Sequence, residues 1–381
     1  MHASVAYLDY NATAPVRPGV GAAMAEALAM GGNPSSVHRF GRLARAAVDR
    51  ARDSVAGWMR VDPAQITFTS GATEANALAV HTLVALGAKA LLVSAIEHDS
   101  VRASAAAAGL PVNEIPVTAA GVLDLAALQG MLAGPGPVGV AVMFANNETG
   151  VIQPVAKAAK LVHAAGGWLL CDAVQGAGRV TARGGLFGAD LVTVSAHKLG
   201  GPQGVGALIA APQIRVAPMV RGGGQESGLR GGTENVPGIA GFGAAVERER
   251  GERARVHALR NLFETRLRAM SPEVQVFGAG AARMSNTVCF ALPGMAAEIA
   301  VIALDLAGVA VSSGSACSSG KVGHSHVLKA MGVPDALAAC ALRVSFGWAS
   351  SRADVDRFVA AWMDLVVRAR RAERAPLALA M

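Results

Sequence analysis

The residues best suited to chemistry in this 381-residue chain stand where short apolar runs end. In "DLVTVSAHKLGGPQGVGALI" a β-branched run stops at Ser195, His197 and Lys198. A desolvated lysine with a lowered pKa is a carbonyl nucleophile, whereas a lysine with no task belongs on the surface. The glycines after it would let the backbone pass close to a bulky ligand. In "LLCDAVQGAG" another run ends at Asp172. A carboxylate at a buried strand end is costly unless paired, so it calls for a structural arginine or for a protonated heterocycle nitrogen. Gln175, three residues on, can donate to the same ligand. "TFTSGATEANAL" reads as strand, turn and helix, with Gly71, Ala72 and Thr73 offering backbone N–H groups and a hydroxyl to a phosphate. The same residues would serve if Thr73 only capped the helix and Glu74 favoured its positive end. Last, "VSSGSACSSGKVGHSH" sets Cys317 among serines and glycines that hold no helix and bury little. It is either a small residue in a flexible loop or a thiol that must move, and the second reading predicts disorder there.

These residues need elements to hold them. "QITFTS", "ALLVSAI", "VGVAVMFAN", "GWLLCDAV", "DLVTVSAH" and "GALIAA" are the strand candidates. Alanine-rich amphipathic stretches such as "EANALAVHTLVALG" and "VAKAAKLVHAAG" lie between several of them. That alternation predicts an α/β domain with a mostly parallel sheet and a ligand at the carboxyl ends of its strands. After residue 254 the pattern changes to the helix "ERARVHALRNLFETRLRAM" and isolated strands "NTVCFAL", "VAVSS" and "ALRVSFG". The helices "AAEIAVIALDLAG", "SHVLKAMG" (with Ser325 as its cap) and "RADVDRFVAAWMDLVVRARR" are interleaved, which predicts a smaller α+β domain. The expected division is a large domain over 13–253 and a small one from 1–12 and 254–381, the latter carrying the cysteine loop. Phosphate cradle, acid and lysine together are the set that pyridoxal phosphate requires. No G-x-G-x-x-G fingerprint follows the first strands, which weakens a dinucleotide reading.

Composition narrows the class. Hydrophobic residues make up 52% and charged residues 16%, as in a well-buried globular protein. The mean hydropathy of +0.39 comes largely from alanine, and no apolar stretch reaches the roughly 18 residues of a membrane span. The opening residues carry an acid early and no apolar signal core, so the expectation is a soluble cytoplasmic protein. The net charge of +7 is spread over scattered arginines, densest in "RARRAER". That pattern suits solvated helix faces or an acidic protein partner, and no nucleic-acid or membrane binding is expected. Cys171, Cys289, Cys317 and Cys340 form no C-x-x-C pair, which argues against a zinc knuckle, a redox dithiol or a disulfide framework; no metal is expected. All but Cys317 read as buried small residues, Cys340 within a helical stretch.

In order along the chain, "YLDYNATAPV", "GNPSSVHRFG", "FTSGATEANALA", "IEHDSV", "NNETGVIQP", "DAVQGAG", "SAHKLGGPQGVG", "RGGTENV", "SSGSACSSG" and "LRVSFG" resemble a bacterial cysteine desulfurase of the NifS and IscS family. That family is a branch of the class V aminotransferase-like enzymes. The resemblance spans about residues 7–347 and implies the pyridoxal-phosphate-dependent transferase fold, fold type I. It implies that Lys198 binds the cofactor, Asp172 pairs with its pyridine nitrogen and Gln175 with its ring hydroxyl. His98 would stack on the ring and help move protons, its alternative being a helix cap. Ala72, Thr73, Ser195 and His197 would bind the phosphate, and Thr233 the phosphate of the partner subunit in a homodimer. Asn147 and Arg343 would hold the substrate carboxylate, a task suited to the arginine fork, unless Arg343 serves a structural ion pair. One departure is Thr13-Ala14-Pro15, where the family usually has a second threonine; it is expected to touch none of the assigned roles.

The implied reaction is L-cysteine to L-alanine, with a persulfide on Cys317 passed to an iron–sulfur scaffold or another sulfur acceptor. The rivals are a selenocysteine lyase, a class V aminotransferase, and a scaffold protein that kept the fold and lost activity. The cysteine loop argues against the aminotransferase, and intact lysine and cysteine motifs against the inactive scaffold.

Overall fold

A computed structural model describes residues 5–134, 136–179, 186–247, 252–314 and 325–374. A short β1 (Ala6–Tyr7) precedes α1 (Val20–Met30) and the long α2 (Arg39–Met59). Then come β2 (Ile66–Thr69), α3 (Ala72–Ala85), β3 (Ala90–Ser94), α4 (Asp99–Ala106), β4 (Val112–Ile115), α5 (Leu125–Met131) and β5 (Val138–Ala141). They are followed by α6 (Val155–Ala164), β6 (Trp168–Asp172), β7 (Leu191–Ser195), β8 (Gly206–Ala210) and α7 (Val236–Glu247). The C-terminal part runs α8 (Arg253–Met270), β9 (Gln275–Val276), β10 (Thr287–Ala291), α9 (Ala297–Leu306), β11 (Val309–Ala310) and β12 (Ser312–Ser313). After the loop come α10 (His326–Ala330), α11 (Asp335–Ala338), β13 (Ala341–Ser345) and α12 (Arg352–Arg374).

Seven strands form the main sheet in the order β2-β8-β7-β6-β5-β3-β4. Only β8 runs antiparallel to its neighbours, so the sheet is mostly parallel, as the βα alternation predicts. β7 and β8 are buried along their whole length, which is why they read as continuous apolar runs. β4 escapes a pattern search because it is an edge strand: Val112, Asn113 and Glu114 face solvent and only Ile115 is buried. The second sheet is antiparallel, β12-β13-β10-β9, and β1 pairs parallel with β11 beside it. "VAVSS" therefore does not form one strand: Val309–Ala310 joins β1 and Ser312–Ser313 joins β13. Cys340 sits in the turn after α11 rather than inside a helix, and is buried like Cys171 and Cys289.

The cores follow this layering. α2 lays Ala44, Ala47, Val48, Ala51 and Val55 on one face, at helical spacing, into a core shared with α7 and the main sheet. A second core joins Ala6 and Leu8 to α8, α12 and the small sheet around Phe263, Phe290, Phe358 and Trp362. A third cluster ties the two together, with Ile96 and Met143 from the main-sheet side meeting Phe277, Cys289 and Leu328. No helix among the described residues is long and apolar enough to cross a membrane. The basic C-terminal helix face is partly neutralised, Arg370 meeting Glu273 at 2.7 Å.

Candidate active site

The carboxyl ends of β6 and β7 open into a cleft of about 530 Å³, between the main sheet and β13. Ten of the twelve expected site residues line it: Ala72, Thr73, His98, Asn147, Asp172, Gln175, Ser195, His197, Lys198 and Arg343. Thr233 does not. It lines a neighbouring cavity of about 260 Å³ that shares Ser70 and Gly204 with the first. Cys317 lies outside the described residues, and with it the expectation of a disordered loop; Ser325, the first described residue beyond it, does cap α10 through Leu328 N at 3.0 Å.

Strand register sets the first wall. Asp172 closes β6 and pairs with Thr193 of β7, two residues before Ser195. Lys198 follows in a single 3-10 turn, which swings its side chain back towards the cleft. Its Nζ donates to the backbone carbonyls of Asn11 (2.7 Å) and Ala12 (2.8 Å). Among the described residues no arginine forms an ion pair with Asp172. Its carboxylate accepts from Asn76 Nδ2 (2.9 Å) and from Val174 N (3.0 Å), and the residue is buried at the floor of the cleft. The N-cap of α3 is Gly71, and no side chain caps it, so Thr73 is not the cap. Gly206 allows the approach of this turn: a Cβ there would lie 2.7 Å from Val194 O and 2.9 Å from Gly71 Cα. The first N–H groups of α3 thus face the cleft beside Ser195 and His197.

The two histidines differ. His98 is the N-cap of α4, accepting from Ser100 N at 3.1 Å, and it also lines the cleft. His197 meets Thr13 Oγ1 at 3.1 Å through Nδ1. Burial, then the charges of Lys198 and Arg179, push its pKa down to about 4, so its ring is neutral at neutral pH.

The second wall is built from distant segments. Arg343, 1% exposed on β13, pairs with Asp9 at 2.6 Å and donates to Asn147 O at 3.1 Å. Its buried Nε has no hydrogen-bond partner among the described residues. The structural ion pair is thus present, in a side chain that also lines the cleft. Beside it Glu148 is buried, accepts from Ser325 Oγ and is pushed up to about 7 by burial.

Around the Thr13-Ala14-Pro15 departure, Ala14 N donates to His197 O at 2.9 Å through the main chain and Thr13 Oγ1 meets the His197 ring, while Ala12 O, just before the block, accepts from Lys198.

Sequence reasoning missed Asn76, Glu97, Asp9 and Asn11. Asn76 is fully buried in α3 and joins Asp172, Ser100 and Thr193. Asn is a poor residue for a helix interior, so its place in "TEANALAV" was a usable signal. Glu97 is fully buried and accepts from Met143 N at 2.6 Å. Burial, then the charge of Asp172, push its carboxyl well above the usual carboxylate range.

The donor set fits pyridoxal phosphate. An amine and a carboxylate stand on neighbouring strands, an imidazole faces the same space, and a helix start with hydroxyls closes one end. No group of three or more metal-ligating side chains occurs among the described residues. Residues 6–358 match the family model of the aminotransferase class-V proteins. The chain is 38% identical to a cysteine desulfurase of Klebsiella pneumoniae, over 96% of this chain and 93% of that one. It is 40% identical to a cysteine desulfurase of Bradyrhizobium diazoefficiens, over 97% and 96% respectively. A NifS-like protein from Rickettsia africae has the same fold, with a TM-score of 0.85 at 32% identity over 96% of this chain and all of that one.

Proposed function

The chain belongs to the aminotransferase class-V family, and on that premise we propose that it is a cysteine desulfurase, converting L-cysteine to L-alanine and passing on the sulfur. One observation carries this reading: a single cleft gathers Lys198 and Asp172, from the ends of parallel strands, with His98 and the start of α3. Its cofactor is pyridoxal 5′-phosphate. When bound, that cofactor supplies an electron sink that labilises bonds at the substrate α-carbon.

The chain's own residues supply the rest. Lys198 would hold the cofactor aldehyde, and its freed amine would take and return the proton at the substrate Cα. Asp172, fixed by Asn76 and Val174 N, would keep the pyridine nitrogen protonated, with Gln175 on the ring hydroxyl and His98 over the ring. Ala72, Thr73, Ser195 and neutral His197 would take the phosphate. Arg343 and Asn147 would hold the substrate carboxylate. The Cys317 thiolate would attack the substrate sulfur: an S–S bond forms, the C–S bond breaks, and its electron pair and a proton go to the substrate Cβ. The persulfide then passes to an iron–sulfur scaffold or another acceptor protein.

We also assign the large domain to 13–253 and the small one to 1–12 and 254–381, following the two main cores. The assembly we propose is a homodimer, Thr233 reaching the partner's phosphate; its cavity adjoins the cleft. Three buried free thiols suit a reducing compartment, and we place the enzyme in the cytoplasm.

The test is alanine formation from L-cysteine by the cofactor-loaded protein. Alanine and protein-bound sulfur are expected, with Cys317→Ser keeping the yellow colour and losing sulfur transfer. Yellow protein that makes no alanine would overturn the proposal.

A further inference from the structure

Asn11 stands in the N-terminal strap that crosses from β1 to the main sheet, and it is 1% exposed. Both hydrogens of its side-chain amide are used, on Asn147 O (3.0 Å) and Thr287 Oγ1 (2.9 Å). Its Oδ1 accepts from Arg179 Nη1 (2.7 Å) and Asn286 Nδ2 (3.0 Å). All four sites of the amide are thereby filled, and a reversed amide would set donors against donors, so its orientation is fixed. Its backbone N donates to Ser345 Oγ at 2.9 Å, while its carbonyl accepts from Gln175 Nε2 (2.9 Å) and Lys198 Nζ (2.7 Å). Next to it, the Tyr10 ring lies over Gly347, where a Cβ would come within 1.8 Å of the ring and displace the strap.

We infer that Asn11 is a positioning residue that aims Lys198 and registers the substrate-carboxylate side of the cleft against it. The inference rests on the proposed desulfurase reading for its substrate half only. The amide has two arms. The donor arm holds the Asn147 carbonyl, which also accepts from Arg343. The acceptor arm holds Arg179, whose other contacts include the Lys198 carbonyl at 3.0 Å and Gln175 Oε1. The main-chain carbonyl between the arms accepts from Lys198 Nζ at 2.7 Å, and the next carbonyl of the strap, Ala12 O, accepts from it at 2.8 Å. A chain segment with no bond-making task thus sets the distance between amine and carboxylate binder.

The test uses the full chain. In cofactor-free protein, amine acetylation is followed residue by residue by mass spectrometry. Asn11→Ala frees the carbonyl under Lys198, so Lys198 is labelled about fivefold faster or more, while exposed Lys157 and Lys160 keep their rates. In loaded enzyme the same variant raises KM for L-cysteine about tenfold, with a smaller change in kcat. Asn11→Asp keeps the acceptor arm and loses the donor arm, so KM rises and Lys198 labelling stays within twofold. Ser271→Ala, which removes a buried bond from Trp362 Nε1 (3.1 Å) in the small-domain core, is the stability control. The inference is overturned if Asn11→Ala leaves labelling and KM within twofold of the parent, or if Ser271→Ala moves them as far. Absence of alanine from the parent protein would sink the desulfurase reading alone, because labelling needs no turnover.

Discussion

Lys198 and Asp172 owe their places to the register of β6 against β7, whereas the guanidinium of Arg343 is aimed by Asp9, 334 residues away in sequence. The first wall is nearly all main chain: two strand ends, one turn and one helix start. The second is nearly all side chain, with Asp9, Asn11, Asn147 and Arg343 joined by hydrogen bonds between segments that meet only in the folded protein. A wall made by register can lose a side chain and keep its shape. A wall made by buried polar contacts loses position and stability together, because each broken contact strands a partner.

The largest effect should come from the first wall. Lys198→Ala is expected to lower alanine production by roughly 10³-fold or more, the scale of a lost nucleophile and proton carrier. It should leave the melting temperature nearly unchanged, since the amine is half-buried at the cleft and its hydrogen bonds to the strap go to main-chain carbonyls that the cleft can rehydrate. Activity and thermal denaturation of the one variant check both halves. A large loss of stability would show that the first wall also depends on its side chains.

Asp9→Asn strikes the second wall and should invert that pattern. It removes the counter-charge of an arginine that is 1% exposed, and a buried charge left uncompensated costs roughly 3 kcal/mol. Urea denaturation should show that loss, and KM for L-cysteine should rise while the bound cofactor keeps its colour. An unchanged stability would mean that Asn147 O alone steadies the guanidinium.

The same division decides what was legible in the sequence. The strand-turn-helix of "TFTSGATEANAL" and the strand ends at Asp172 and Lys198 carry their positions in local pattern, and the structure puts them in one cleft. The six main-sheet runs singled out by apolar continuity all appear as strands. β4 and the split of β11 from β12 did not show, because an edge strand needs no apolar pattern and two-residue strands take their identity from partners. Asp9 and Asn11 were quoted only as part of a family block. Nothing within a few residues of either says that it meets Arg343 or Thr287, so their tasks are properties of tertiary pairing.

The smallest of the three effects separates the walls by pH. Glu148 adjoins Asn147, accepts from Ser325 Oγ and is pushed up to about 7 by burial, with Arg343 opposing that shift. An unfolded glutamate titrates near 4.3, so from there to pH 7 the unfolded chain gives up a proton that the folded chain keeps. This group therefore favours folding least at and above neutral pH, and its contribution worsens by about 2 kcal/mol between pH 5 and pH 7. Glu148→Gln keeps an oxygen for Ser325 and cannot ionise. Its stability relative to the parent should rise by that amount over the same interval, measured by urea unfolding at several pH values. On the first wall His197 is held down to about 4 and stays neutral across the interval in the folded state. Its own cost is a loss of stability as pH falls from about 6.5 towards 4, which both proteins share and which cancels in the difference. Parallel curves for parent and variant would show that Glu148 is already charged at pH 5, with Arg343 rather than burial governing it, and the second wall would then be no more pH-sensitive than the first.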